Sequence, residues 1–219
     1  MTMRAGMKGG LPVAAASLLL AISFGVLAQP VMGTVAPIVM SAVVFAGSAQ
    51  FGALAVLAAG GGAGAAIGAG VLLNMRYLPM GIAIASSTRG GPLRRALAAQ
   101  PMIDAGWAMA SRAHGRYDLP YMWGVTTVCY PTWIAGTTLG VFAGDLIGDP
   151  DRLGLDALFP AFFLALLVGE ARGGRLGIVV ACLGSLLALA LAPLTPPGVP
   201  VIAGCVAALA ALIPARGRS

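Results

Sequence analysis

Apolar residues run through this chain in long blocks, and the polar and charged positions fall mostly between them. The blocks lie at about 11–31, 34–59, 62–86, 119–147, 155–170, 176–194 and 198–214. Between them stand Gln29-Pro30, the glycines 60–62, the stretch from Arg89 to Arg116, Asp145 to Asp156, Glu170 to Arg175, and Leu194-Thr195-Pro196-Pro197. A helix crossing the hydrocarbon layer needs about 20 apolar residues, and several blocks reach that length. The pattern predicts an all-α polytopic membrane protein with about six or seven transmembrane segments. They form a single transport-type domain over 1–219, with no room for an appended soluble domain.

Composition narrows the class further. Only 9% of the 219 residues are charged and 59% are hydrophobic, whereas a soluble domain carries about 25% charged residues to face water. That excludes a soluble enzyme, a nucleic-acid binder and a disordered tail. The net charge of +6 reads instead as arginine held on one side of a bilayer, because loops facing the cytoplasm collect Lys and Arg. The stretch from Arg89 to Arg116 holds five Arg against one Asp, so the basic loop at about 87–118 is expected to be cytoplasmic. Asp149, Asp151 and Asp156 then face outside, Arg172 and Arg175 inside, the Pro-rich 195–200 outside, and Arg216 with Arg218 inside.

The first part of the chain does not obey the same parity. Arg4 and Lys8 favour an inside N-terminus, which requires an even number of crossings before Arg89, yet three apolar blocks precede it. Either the N-terminus lies outside or one block is broken or re-entrant. The run Phe45-Ala46-Gly47-Ser48-Ala49-Gln50-Phe51 supports a break, since it places Gly, Ser and Gln in mid-segment. Backbone leaves the helix at membrane depth only where protein or a cavity satisfies it. Val26-Leu27-Ala28 resembles a signal-peptidase site, but apolar character resumes at once, so the first block is expected to remain attached as a helix.

Small residues and the basic loop carry secondary signals. Gly60, Gly64 and Gly68 form one i, i+4 row and Gly136, Gly140, Gly144 and Gly148 another, each allowing a neighbouring helix to approach closely. In the loop, Pro92 to Ala99 is expected to form a short basic helix. A second, from Pro101 to about Ala113, would be interfacial and amphipathic. Cys129, Cys182 and Cys205 lie singly in apolar runs and His114 is the one histidine. No ligand set for a metal or haem emerges, and neither a metal nor another cofactor is expected.

Polar residues inside apolar spans are expensive and are functional candidates by default. Ser41 is expected to tie helices together by a hydrogen bond. Ser48 and Gln50 beside Gly47 are a candidate binding element, since a broken helix there would offer backbone groups and two side chains to a carboxylate or ammonium. Asn74 and Arg76 lie within the third block, with Pro79 nearby. Either Arg76 snorkels to the cytoplasmic face, or the helix is kinked and the arginine is paired or faces a water-filled path. Asp104 is the acid to test as its partner, being the one acid between Arg76 and Arg116. Asp145 and Glu170 sit at helix ends and read as solvated charges.

Enzyme readings fail on residue types. A membrane serine nucleophile would need a histidine base within the membrane, and His114 is in the loop. An aspartyl pair would need a second acid in a span. The glycines at 60–70 lack the Lys-Ser/Thr that grips phosphate.

Two motifs resemble a known family. Phe45-Ala46-Gly47-Ser48-Ala49-Gln50-Phe51 looks like the signature of the AzlC family, the large subunit of branched-chain amino-acid exporters. Leu72-Leu73-Asn74-Met75-Arg76-Tyr77 resembles that family's Leu-Leu-Asn-x-Arg-His/Tyr stretch. Arg94-Arg95 and Asp104 fall where the family has a basic loop followed by an acidic position, although Ala105 stands where a second acid commonly follows. The resemblance covers about Gly10 to Glu170, and the last third matches in hydropathy alone. It implies export of valine, leucine or isoleucine by a secondary transporter of the bacterial inner membrane, with a small hydrophobic AzlD-type partner subunit. On this reading Gly47, Ser48, Gln50, Asn74 and Arg76 bind substrate or line its path, and Asp104 couples or gates. The alternatives are export of another small hydrophobic metabolite, or a structural membrane subunit whose polar residues only join helices.

Overall fold

The fold was analysed in a computed structural model, which describes residues 2–85, 87–88, 90–112, 116–147 and 175–195, with single positions at 161, 164, 167, 168, 172 and 203. The order is α1 (Met3–Met32), α2 (Val35–Val43), α3 (Gly47–Ala58), α4 (Ala63–Asn74), α5 (Tyr77–Ala85), α6 (Pro92–Ala99), α7 (Asp104–Ala110), β1 (Ser111–Arg112), β2 (Arg116–Tyr117), α8 (Leu119–Ile147) and α9 (Arg175–Leu191). The described chain is therefore predominantly helical. Apart from those single positions, the expected segments at 155–170 and 198–214, together with Gly148, Asp149, Asp151, Asp156, Glu170 and Cys205, lie outside the described residues.

By length and apolarity, one helix among the described residues suffices to cross a bilayer. This is α1, 30 residues with a mean hydropathy of 2.2. The second and third apolar blocks of the sequence do not form single long helices. Each is divided, the second at Val44–Ala46 and the third at Met75-Arg76.

The chain forms two compact units, one made of residues 1–47 and 75–150, the other of 48–74 and 151–219. The first unit is built on α1 and α8, which lie side by side in parallel. A Cβ built on Gly124 would come within 2.9 Å of the Gly6 Cα, and one on Gly25 within 2.9 Å of the Gly140 Cα. Between these levels Gly10 meets the Val125 Cα at 3.0 Å and Gly136 meets the Ala21 Cβ at 2.7 Å. Small residues thus let two backbones touch along most of their length, the arrangement expected where lipid offers no hydrophobic drive for association. The row expected at Gly136 and Gly140 makes this contact. Its counterparts Gly6, Gly10 and Gly25 on α1 complete it.

The other expected glycine row is corrected by the structure. Gly60 is not on a helix face but ends α3, with φ +80°. Its N–H donates to the Leu57 carbonyl at 3.0 Å and the Gly61 N–H to the Val56 carbonyl at 2.8 Å. This pair of reversed bonds closes a helix with a left-handed residue, which glycine adopts without a Cβ clash. Among the described residues nothing lies within 4 Å of a Cβ on Gly64.

In the basic loop, α6 occupies Pro92–Ala99 as the sequence predicts, with Pro92 at its first turn and Gly91 as N-cap. The second loop helix is shorter than expected. It starts at Asp104 and stops at Ala110, where the chain turns into the antiparallel pair Ser111↔Tyr117 and Arg112↔Arg116. The buried Gly106 and Ala110 set α7 against Met122 of α8. Asp118 caps α8, accepting the Tyr121 N–H at 3.2 Å and pairing with Arg112 at 3.6 Å.

Candidate functional site at two helix interruptions

The first interruption begins where α2 ends at Val43, with the Val44 N–H still reaching the Met40 carbonyl. Phe45 then takes φ +42°, the one positive φ of a non-glycine among the described residues. A bulky residue there is strained by about 1–2 kcal/mol, so the neighbours must hold it. One face of α8 does so, through Tyr130, Trp133 and Thr137. The Phe45 and Tyr130 rings meet edge to face with centroids 4.8 Å apart. The Tyr130 hydroxyl donates to the Ala42 carbonyl at 2.8 Å, satisfying an acceptor that the broken helix orphans. Ser41 and Thr137 hydroxyls bond at 2.8 Å in a buried setting, the interhelical role expected of Ser41. Gly47 lies against the indole of Trp133, where a Cβ would stand 2.8 Å from the ring.

In the second unit, α3 and α4 form an antiparallel hairpin closed by the Gly60 turn. Leu73 fills the space above Gly52, and a Cβ on Gly70 would meet the Ala49 carbonyl at 3.6 Å. The start of α3 therefore lies beside the end of α4. Ser48 and Gln50, 2% and 0% exposed, share this end with Asn74, the last residue of α4. The Asn74 carboxamide oxygen is buried and has no hydrogen-bond partner among the described residues. A buried acceptor left unmade costs about 1–3 kcal/mol, so this atom marks a place where another group is wanted.

Directly after Asn74 comes the second interruption, a turn at Met75-Arg76. Pro79 lies in the first turn of α5, where a missing N–H disrupts nothing; the interruption precedes it. In the first unit, Arg76 grips Asp104 with both arms of its guanidinium, Nε to Oδ1 at 2.9 Å and Nη2 to Oδ2 at 2.7 Å. The Arg76 guanidinium also lies 5.1 Å from the centroid of the Tyr77 ring. Asp104 occupies the first turn of α7, where a carboxylate also faces the positive end of the helix. The pair remains half-open to solvent, with side chains 32% and 55% exposed.

The structure thus brings Ser48, Gln50 and Asn74 to one end of a helical hairpin, and Arg76 to Asp104. Gly47 stands at the first interruption. The supporting residues Tyr130, Trp133 and Thr137 were not singled out in the sequence, where only their i, i+3, i+7 spacing hints at a shared face.

A family model described as AzlC protein matches residues 12–147. The chain belongs to the AzlC family. Among curated proteins this member is similar to the inner membrane protein YgaZ of Escherichia coli K12, 28% identical over 95% of this chain and 90% of that protein. It is 25% identical to the branched-chain amino acid transport protein AzlC of Bacillus subtilis 168, over 73% of this chain and 64% of that protein. An uncharacterized membrane protein of Archaeoglobus fulgidus is 29% identical over 93% and 91% of the two chains. No solved structure matches the chain. The family and these relatives make it a membrane protein of a transport-associated kind. The family match spans both interruptions and ends at the close of α8.

Proposed function

We propose that this AzlC-family protein is the large subunit of a secondary exporter that moves branched-chain amino acids out of the cytoplasm. It would work with a small hydrophobic AzlD-type partner in the inner membrane, with its six or seven segments forming one transport domain. The observation that carries the reading is the end of the α3–α4 hairpin, which holds the buried Ser48 and Gln50 and the buried Asn74 oxygen that has no partner among the described residues. An α-ammonium needs acceptors and an α-carboxylate needs donors. Asparagine, glutamine and serine side chains supply both, and the first backbone N–H groups of α3 favour the carboxylate. The small and apolar residues of α3 and α4 suit a branched aliphatic side chain. Arg76, held by Asp104, follows in the chain as a gate whose pairing changes during the cycle. The transport name of the Bacillus relative agrees with this substrate class.

The test is efflux from cells loaded with valine-, leucine- or isoleucine-containing dipeptides and expressing the chain with its partner. Single Ser48→Ala, Gln50→Ala and Asn74→Ala variants should each cut efflux about tenfold or more, the scale of one hydrogen bond to a charged group, with membrane levels unchanged. Wild-type rates in all three, at normal expression, would remove the hairpin end as the substrate site. Failure of the wild-type pair to export any hydrophobic amino acid would overturn the exporter reading itself.

A further inference from the structure

The first unit holds a cavity at its basic loop, lined by none of the residues of the two interruptions. A cavity of about 700 Å³ opens between the end of α5, α6, β2 and the start of α8, with Ser87, Thr88, Arg94, Leu97, Arg116 and Trp123 among its walls. Charge accounting around it is lopsided. The two acids described nearby are already taken, Asp104 by Arg76 and Asp118 by Arg112. Arg95 donates to the Gly90 carbonyl. The guanidiniums of Arg94 and Arg116 have no hydrogen bond or ion pair among the described residues, and both side chains line the same opening. Two guanidiniums on one cavity whose described lining includes no acid call for an anion, and their planar forks suit phosphate oxygens.

The walls are fixed independently of any ligand. The Tyr117 N–H donates to the Ser87 hydroxyl at 2.9 Å, and the Trp123 indole N–H to the Ala98 carbonyl at 3.0 Å. The Thr88 hydroxyl donates to the Ile84 carbonyl at 3.0 Å. The surface beside it is apolar: Leu97 lines the cavity and Leu93 lies one turn before it on α6, 65% and 74% exposed. Cationic groups beside an exposed leucine pair on a short surface helix match a lipid, whose phosphate and acyl chains are joined in one molecule.

We propose that this cavity binds the phosphate of an anionic phospholipid, with Arg94 and Arg116 on the headgroup and Leu93 and Leu97 against the acyl chains. It rests on the chain being a membrane protein and not on what it exports, so the readout is binding rather than efflux. The full-length chain, purified in non-ionic detergent and stripped of lipid, is titrated with short-chain phosphatidylglycerol, phosphatidylcholine or inorganic phosphate. Tryptophan emission reports binding, since Trp123 lines the cavity. Phosphatidylglycerol should bind at least about tenfold more tightly than phosphatidylcholine. Each of Arg94→Gln and Arg116→Gln should weaken it about fivefold and the double variant about 25-fold, from roughly the value of one basic residue at an anionic surface. Arg94→Lys/Arg116→Lys, which keeps the charge but not the planar fork, should bind more tightly than the double glutamine variant but below wild type, and Arg175→Gln, on the exposed start of α9, should keep full affinity. Should the double variant fail to give a wild-type helical circular dichroism spectrum, the single variants decide. Unchanged phosphatidylglycerol affinity in the glutamine variants overturns the site, and inorganic phosphate binding as tightly as the lipid overturns the lipid as its occupant.

Discussion

Replacing Gly140 with alanine adds one methyl group to the face of α8 that touches α1. That methyl would overlap the Ile22 carbonyl oxygen and lie 2.9 Å from the Ile22 carbonyl carbon and 3.0 Å from the Gly25 Cα. All three neighbours are backbone, so no side chain can rotate away, and two helices must separate. Overpacking a tight contact costs about 1–3 kcal/mol. Alanine also returns about 0.5–1 kcal/mol of helix propensity relative to glycine. From the middle of each range the net loss is about 1 kcal/mol, or roughly 2–4 °C in Tm for a chain of this length. Gly64→Ala in α4 is the internal control: its Cβ meets nothing within 4 Å among the described residues, so propensity alone should make it neutral or slightly stabilising. Thermal unfolding of the purified chain in one detergent, followed by circular dichroism, compares the two directly. Gly25→Ala should resemble Gly140→Ala, and the double variant should lose less than the sum, because the two glycines face each other and one separation relieves both. If Gly140→Ala is as stable as the wild type, or Gly64→Ala loses as much, backbone contact does not hold α1 to α8.

Two further substitutions probe the interruptions. Tyr130→Phe removes the hydroxyl from the Ala42 carbonyl while keeping the ring against Phe45, and should cost about 0.5–1.5 kcal/mol in the same unfolding assay; no change would mean that another group satisfies this carbonyl. Asp104→Asn breaks the paired charges but leaves side chains that are 32% and 55% exposed, so its stability cost should stay under about 1 kcal/mol, whereas Arg76→Lys should lose the two-pronged geometry. A gate predicts that both variants slow efflux with near-wild-type Tm, and equal losses of stability and efflux would reassign the pair to folding.

The features legible in the sequence were those where residue type alone forced an outcome. Gly, Ser and Gln inside an apolar block disfavoured an unbroken helix near residues 45–51; the break falls at Val44–Ala46, and Gly47, Ser48 and Gln50 themselves begin α3. Pro92 after Gly91 fixed the start of α6. Asp104 was the one acid in a basic stretch and Arg76 an arginine in an apolar one, so pairing served both. The rest depended on partners distant in the chain. Tyr130, Trp133 and Thr137 look like ordinary residues of a long helix until the strained Phe45 is laid against them. Gly6, Gly10 and Gly25 do not form an unbroken i, i+4 row and gain meaning only from α8. Gly60 matched the packing spacing but served a different need, a positive φ that ends a helix. The β1–β2 pair was invisible because two-residue strands carry no period.

The parallel pairing of α1 with α8 also has a consequence for biosynthesis. Every helix between them is made while the small-residue face of α1 has nothing to close on, and even the Ser41–Thr137 bond joins positions 96 residues apart. At about 5–20 residues per second, a ribosome takes roughly 5–20 s to cover that distance. During this interval the first helix must be held in the membrane by lipid or by the insertion machinery. A nascent chain stalled before Gly136 has only part of its mating surface, and one stalled before Tyr121 has none. Assembly of the first unit is therefore a late event, set by the emergence of α8 rather than by the insertion of α1.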